Sequence, residues 1–102
     1  MEFSIPEVID HRYRVNQSIG SGAMATVYSA EDTRLGRRVA LKILRPEHLS
    51  DSTFRARFQR EAESVASLNH PNIVSVYDTG IFESTVNGNT VQVPFMVMEL
   101  LQ

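Results

Sequence analysis

Three features of this sequence could together bind an anionic ligand. A turn that contains glycine, Ile-Gly-Ser-Gly-Ala-Met-Ala-Thr-Val, occupies residues 19–27. Lys42 follows fifteen residues after Val27, and Glu61 follows nineteen residues after Lys42. Glycine leaves backbone N–H groups uncovered, and converging N–H groups form concave sites for phosphate. A lysine held by a carboxylate would add a positioned cation. The pattern therefore predicts a phosphate site with a tethered cation.

The turn lies between two segments with the pattern of β-strands. From Tyr13 to Ile19 every second residue, including Val15 and Gln17, is predicted to point to one face. Residues 26–30 are again rich in β-forming types. We predict an antiparallel hairpin whose two strands are joined by an unusually long connection.

Lys42 lies in an otherwise apolar strand, residues 38–44. Because side chains alternate along a strand, Ala40 and Lys42 should share the face opposite to Val39 and Ile43. A single lysine in such a strand can also extend its amine to solvent while its stem stays buried. The strand alone leaves both interpretations open.

Residues 54–68 contain neither Gly nor Pro and are predicted to form a helix. Glu61 falls on the apolar stripe of this helix, three residues after Phe58. A carboxylate on a buried face is costly unless a cation meets it. Lys42 is the expected partner, and Arg57, one turn earlier on the helix, is the alternative.

Two further strands, residues 73–82 and 90–99, follow the helix. Asn87-Gly88 lies between them and is a hairpin signal. The predicted fold class is therefore α+β, with a five-stranded antiparallel sheet and one main helix packed on it. Residues 1–12 are predicted to form a flexible arm, and residues 13–102 a single folded unit.

Composition excludes several classes of function. The chain has 102 residues, a net charge of −2 and no cysteine, so we expect no nucleic-acid partner and no disulfide or thiolate site. Its three histidines are scattered, and we expect no metal site within the chain. No apolar run approaches the roughly 18–20 residues of a membrane span, so no direct membrane contact is expected.

Two other glycine-turn motifs do not fit. A dinucleotide-binding turn must be followed by a helix, whereas strand-forming residues follow this one. A P-loop requires Gly-Lys-Ser/Thr at the end of the turn, and the sequence lacks it. A hairpin with an idle glycine loop remains an alternative.

The ordered set of motifs resembles the first half of the protein-kinase signature. It is similar in detail to bacterial receptor-type (eukaryotic-like) Ser/Thr kinases, and the resemblance runs from about Tyr13 to Leu101. The motifs that carry it are Tyr13-Arg14, Gly20-x-Gly22-x-x-Ala25-x-Val27, Val39-Ala40-Leu41-Lys42, Arg60-Glu61-Ala62, Leu-Asn-His-Pro-Asn-Ile-Val at 68–74, Val-Tyr-Asp-Thr-Gly at 76–80 and Val97-Met98-Glu99.

The resemblance implies a role for each matching residue. The ATP-contacting residues would be Ile19, Gly20, Ser21, Gly22, Ala23, Met24, Ala25, Val27, Ala40, Lys42, Met98, Glu99 and Leu101. The glycine turn would cover the phosphates, and Lys42, positioned by Glu61, would hold the α- and β-phosphates. Ile19, Val27 and Ala40 would form the apolar ceiling over adenine. Met98 would be the gatekeeper, and the backbone of Glu99 and Leu101 would bind the edge of adenine.

One residue departs from the family pattern. Ala25 stands where the family's third glycine is usual, so we expect a stiffer turn with its function retained.

The implied function is that of the N-terminal lobe of a Ser/Thr protein kinase. The parent would transfer the γ-phosphate of ATP to protein hydroxyls, with Mg²⁺ ligands and the catalytic Asp in the C-terminal lobe. That lobe is absent from the sequence, so the chain alone should be inactive and bind ATP weakly. The resemblance also implies a cytoplasmic kinase domain in a membrane-anchored parent.

Two alternatives stay open. The lobe could act as a dimerisation module, with Leu35 as a contact residue, or it could belong to a pseudokinase. An isolated exposed leucine is also ordinary, which weakens the first of these alternatives.

Overall fold

The computed structural model describes residues 5–22, 25–49, 51–67 and 76–100; for residues 54 and 61–67 it describes the backbone only. The strands are β1 Val8–Ile9, β2 Tyr13–Ser21, β3 Ala25–Asp32, β4 Arg37–Leu44, β5 Val76–Val86 and β6 Asn89–Glu99. A short 3₁₀ turn, Pro46–His48, precedes the helix α1, Ser52–Ser67.

All strand pairs are antiparallel, and the strand order is β1-β2-β3-β4-β6-β5. The α+β class with one main helix is confirmed. The predicted number of five strands is wrong, because the described residues form six. The additional strand, β1, lies in the segment that was expected to be a flexible arm.

Strand β1 is only two residues long, yet it is anchored. Val8 pairs with Arg14 and Ile9 with Tyr13, and Ile9 is buried. Asp10 and His11, both with positive φ, form the tight turn before β2. A strand of two residues is too short to display alternation, so the sequence contains no periodic signal for it.

Local turn chemistry explains two of the hairpins. Asn87 and Gly88 have φ values of 51° and 83°, as a two-residue type I′ turn requires, and they join β5 to β6. Between β3 and β4, the carboxylate of Asp32 accepts backbone N–H bonds from Arg34 and Leu35 at 3.1 and 3.3 Å. Asp32 therefore organises its turn much as an Asx turn does.

Two irregularities interrupt β2. The pairing register with β3 shifts between Val15 and Gln17 and again between Ser18 and Gly20. Each shift adds a residue to β2 and reverses the alternation of its side chains. The single face predicted for Tyr13, Val15, Gln17 and Ile19 is therefore wrong.

The sheet carries a separate apolar cluster on each face. The first cluster contains Ile9, Tyr13, Ala30, Val39, Leu41, Ile43, Phe82, Val93, Phe95 and Val97. The second contains Ala25, Ala40, Leu44, Phe58, Met96 and Met98. Helix α1 contributes Phe58 to the second cluster and so covers the face that carries Ala40. Among the described residues, no helix has the length and apolar character needed to cross a bilayer.

Candidate functional site

A row of paired residues crosses four strands and contains Lys42. Gly20 pairs with Val27, Val27 with Lys42, and Lys42 with Met96. Residues directly opposite one another project from the same face of a sheet. The predicted cation therefore lies on the same face as the backbone of the glycine turn, two strands away from it.

A second row borders the first and contains the apolar residues Ala40 and Met98. Ser29 pairs with Ala40, and Ala40 pairs with Met98. Ala40 and Met98 are both buried, and Val27 packs against the same cluster. The fold thus brings together three residues of the predicted adenine pocket. Ile19 does not join this cluster: it lies at the second register shift of β2 and is 45% exposed.

The glycine turn is shorter than the sequence predicted. Pairing between β2 and β3 continues to Ser21 and Thr26, and the N–H of Gly22 donates to the carbonyl oxygen of Ala25 at 2.9 Å. Only residues 22–24 separate the two strands, so the prediction of a long connection is wrong. The connection at which the phosphates of a ligand were expected is therefore three residues long.

The two glycines of the turn are not required by the fold itself. A Cβ added to Gly20 would meet no heavy atom within 4 Å, and one added to Gly22 would meet only the Ala25 oxygen at 3.9 Å. Neither has φ in the left-handed region, unlike Gly36 and Gly88. The space outside the backbone is open, which suits a ligand that must approach the main chain closely. The residues present therefore fit a bound phosphate group.

Lys42 is half-buried on the site face. This burial lowers the pKa of its ammonium group, because desolvation disfavours the charged form. An anion placed nearby would offset that cost. The backbone of Glu61 lies within α1, as predicted, but its side chain is outside the described part of the structure. The predicted pairing of Lys42 with Glu61 therefore stays a prediction.

Other predicted contact residues are placed only in part. Ala23, Met24 and Leu101 lie outside the described residues. Glu99 is the last residue of β6, pairs with Val39 and is half-buried. Its predicted role at the edge of adenine stays a prediction.

Arg45 also lies at the turn, although the sequence pattern did not predict it there. Its Nη1 atom lies 3.1 Å from the carbonyl oxygen of Gly22 and 3.3 Å from Ser21 Oγ. Its Nε atom lies 3.0 Å from Glu47 Oε2. The pairing of Ala25 with Leu44 brings the residue after β4 to the turn. The position of Arg45 beside the turn therefore follows from the strand register, which local periodicity does not reveal.

In the described residues, an antiparallel sheet and one α-helix form a lobe whose glycine turn lies on the same face as a half-buried lysine. Comparison with known proteins gives this lobe a family. The model of the protein kinase domain matches residues 13–102. The chain therefore belongs to the protein kinase domain family.

Similar proteins include bacterial kinases. The chain is 52% identical over 94 residues to a probable serine/threonine-protein kinase of Streptomyces coelicolor, covering 92% of this chain and 13% of that protein. It is 56% identical over 72 residues to serine/threonine-protein kinase PrkC of Bacillus subtilis, covering 71% of this chain and 11% of that protein. The chain thus spans about an eighth of the length of these curated relatives.

Solved kinase domains share the fold. The kinase domain of Mycobacterium tuberculosis PknI superposes with a TM-score of 0.61 at 34% identity, over 97% of this chain and 37% of that one. The likeness therefore covers nearly all of this chain and about a third of that kinase domain.

Proposed function

We propose that this chain is the ATP-binding N-terminal lobe of a Ser/Thr protein kinase. The observation that carries the proposal is the open space outside Gly20 and Gly22, at one end of the row that contains Lys42. Neither glycine is needed for packing or for an unusual backbone conformation. A ligand that contacts the main chain explains both.

The described residues divide into a polar end and an apolar end. The phosphates would lie against the backbone at Gly20 and Gly22, and the Lys42 ammonium would interact with their negative charge. Val27, Ala40 and Met98 would contact adenine on the same face. ATP supplies the transferable phosphoryl group when it is bound, whereas this lobe binds and orients the nucleotide.

The rest of the reaction is assigned to the parent protein. The sequence contains neither a His-Arg-Asp nor an Asp-Phe-Gly motif, which hold the catalytic base and an Mg²⁺ ligand in this family. We therefore expect no turnover by this chain alone. The same proposal includes protein Ser/Thr hydroxyls as the substrates and Mg²⁺ as the metal. It also includes a cytoplasmic location of the kinase domain in a membrane-anchored parent.

A titration of the chain with ADP and ATP, followed by amide NMR, tests the proposal. We expect chemical-shift changes at Gly20, Gly22 and Lys42, and a Lys42→Met variant should lose those at the phosphate end. Arg38→Met is the matched control, because Arg38 lies on the same strand but is exposed. A well-dispersed spectrum without any response at millimolar nucleotide would refute nucleotide binding by this lobe.

A second candidate function is pairing between two lobes. Leu35 is 57% exposed in the turn between β3 and β4, where polar residues are usual. Light scattering of the chain at rising concentration, beside Leu35→Ser, tests this alternative. A monomeric mass throughout would count against it.

A further inference from the structure

Arg45 occupies a position between the glycine turn and the loop that leads to α1. It follows β4 directly, and the 3₁₀ turn Pro46–His48 begins at the next residue. Its side chain is 36% exposed, so the guanidinium lies at the surface and not in either apolar cluster. Its role must therefore come from the groups that it contacts.

The two edges of the guanidinium face different segments. Nε and Nη2 both lie 3.0 Å from Glu47 Oε2. Nη1 donates to the carbonyl oxygen of Gly22 at 3.1 Å and contacts Ser21 Oγ at 3.3 Å. A planar guanidinium can serve two groups in fixed directions, which a lysine ammonium does not do. The carboxylate of Glu47 fixes one edge, and the other edge is then directed at the turn.

The contact reaches the main chain of the turn at Gly22. The N–H of Gly22 is bonded to Ala25, but its carbonyl oxygen receives the Arg45 guanidinium. Neither Gly20 nor Gly22 carries a side chain that could pack against the sheet. The Arg45 side chain thus hydrogen-bonds the main chain of this turn directly.

We propose that Arg45 is a positioning residue, which holds the glycine turn over the phosphate site while Glu47 orients its guanidinium. The effect on nucleotide binding rests on the proposed function, whereas the effect on the turn does not. The net strength of such exposed, charge-assisted bonds is modest. We therefore expect two- to tenfold effects rather than loss of the fold.

Hydrogen exchange in the nucleotide-free chain tests the positioning itself. The Gly22 amide, whose bond to Ala25 opens with the turn, should exchange about two- to tenfold faster in Arg45→Met. Arg45→Lys should show most of the same increase, because it keeps the charge but loses the second edge of the fork. Glu47→Gln should give a smaller increase. Amides of β6 serve as the internal control and should not change in any variant.

Nucleotide affinity gives the second readout. The ADP dissociation constant should rise about two- to tenfold in Arg45→Met, whereas the adenosine constant should stay the same, because adenosine has no phosphate that could lie against Gly22. Unchanged Gly22 exchange in both Arg45 variants would overturn the proposal. Full retention of slow exchange by Arg45→Lys would also overturn it, since charge alone would then suffice. If the unsubstituted chain binds no nucleotide, the proposed function fails, while the exchange data still decide whether Arg45 positions the turn.

Discussion

Replacing Gly80 by alanine should destabilise this lobe, although alanine is normally the better-tolerated residue within a strand. Gly80 lies in β5 and pairs directly with Phe95 of β6. A Cβ at position 80 would stand 2.8 Å from Cζ and 2.9 Å from Cε1 of that phenyl ring. Ordinary carbon–carbon contacts lie near 3.5–4.0 Å, so the ring would have to move.

The ring has little room to move. Phe95 is 1% exposed, and the ring centroids of Tyr13 and Phe82 lie 6.3 and 5.9 Å from its own. Adding a methyl group to a packed core typically costs about 1–3 kcal/mol. The lower backbone entropy of alanine in the unfolded chain returns about 0.5–1 kcal/mol. The net loss should be about 1–2 kcal/mol, which is about 4–15 °C in the melting temperature of a domain of this size.

Gly20→Ala is the matched control, because the same atom is added where nothing lies within 4 Å. Its stability should stay within about 0.5 kcal/mol of the original or rise slightly. Its affinity for ADP should fall, because the new methyl group occupies space that we assign to the ligand. The two substitutions should thus have different effects, because Gly80 is required for packing and Gly20 for binding.

Urea unfolding of both variants, followed by circular dichroism, measures the difference. The double variant Gly80→Ala/Phe95→Leu should lose less stability than the sum of the two single variants, because the smaller side chain relieves the contact. If Gly80→Ala is as stable as Gly20→Ala, the close approach of β5 to Phe95 is not a packing constraint and the reasoning fails.

Two predictions concern titrating groups. The Arg12 guanidinium, 2.7 Å from Asp32, lowers the pKa of that buried carboxyl from 3.8 to about 2. The stabilisation from this pair should be complete above about pH 5 and lost progressively as the pH falls towards 2. Urea unfolding between pH 2 and 7 should show that loss of stability. The Asp32→Asn variant should lose less stability over the same range. An unchanged pH profile in that variant would contradict the assignment of the loss to Asp32. Lys42 is the only lysine in the sequence, so ¹³Cε-lysine NMR follows a single side chain. Its pKa, lowered by burial, should rise when ADP binds, because a nearby phosphate favours the charged form, and a constant pKa at saturating ADP would count against contact between them.

Local patterns in the sequence predicted the parts of the fold that depend on nearest neighbours. Alternation in β4 correctly separated Ala40 and Lys42 from the face of Val39, Leu41 and Ile43. Asn87-Gly88 correctly marked the last hairpin, since its two positive φ angles are a local requirement. The helix also follows from an uninterrupted run of residues with one apolar stripe.

The family motifs also predicted residues of the candidate site. They singled out Val27, Ala40, Lys42 and Met98, and the strand register places all four in adjacent rows of one face. Spacing along the chain alone would not have predicted this arrangement. Val27 lies on β3 and Met98 on β6, and β4 separates these two strands.

The remaining features were decided by tertiary structure. A two-residue strand such as β1 has no period of its own and exists because Ile9 can be buried beside Tyr13. The register shifts of β2 depend on how it pairs with β3, and they move Ile19 out of the apolar cluster. Arg45 reaches the glycine turn because β4 ends beside the start of β3, and Gly80 is required because a phenyl ring lies across from it. Each of these features depends on a partner in another segment of the fold, so the residue type at the position itself does not predict it.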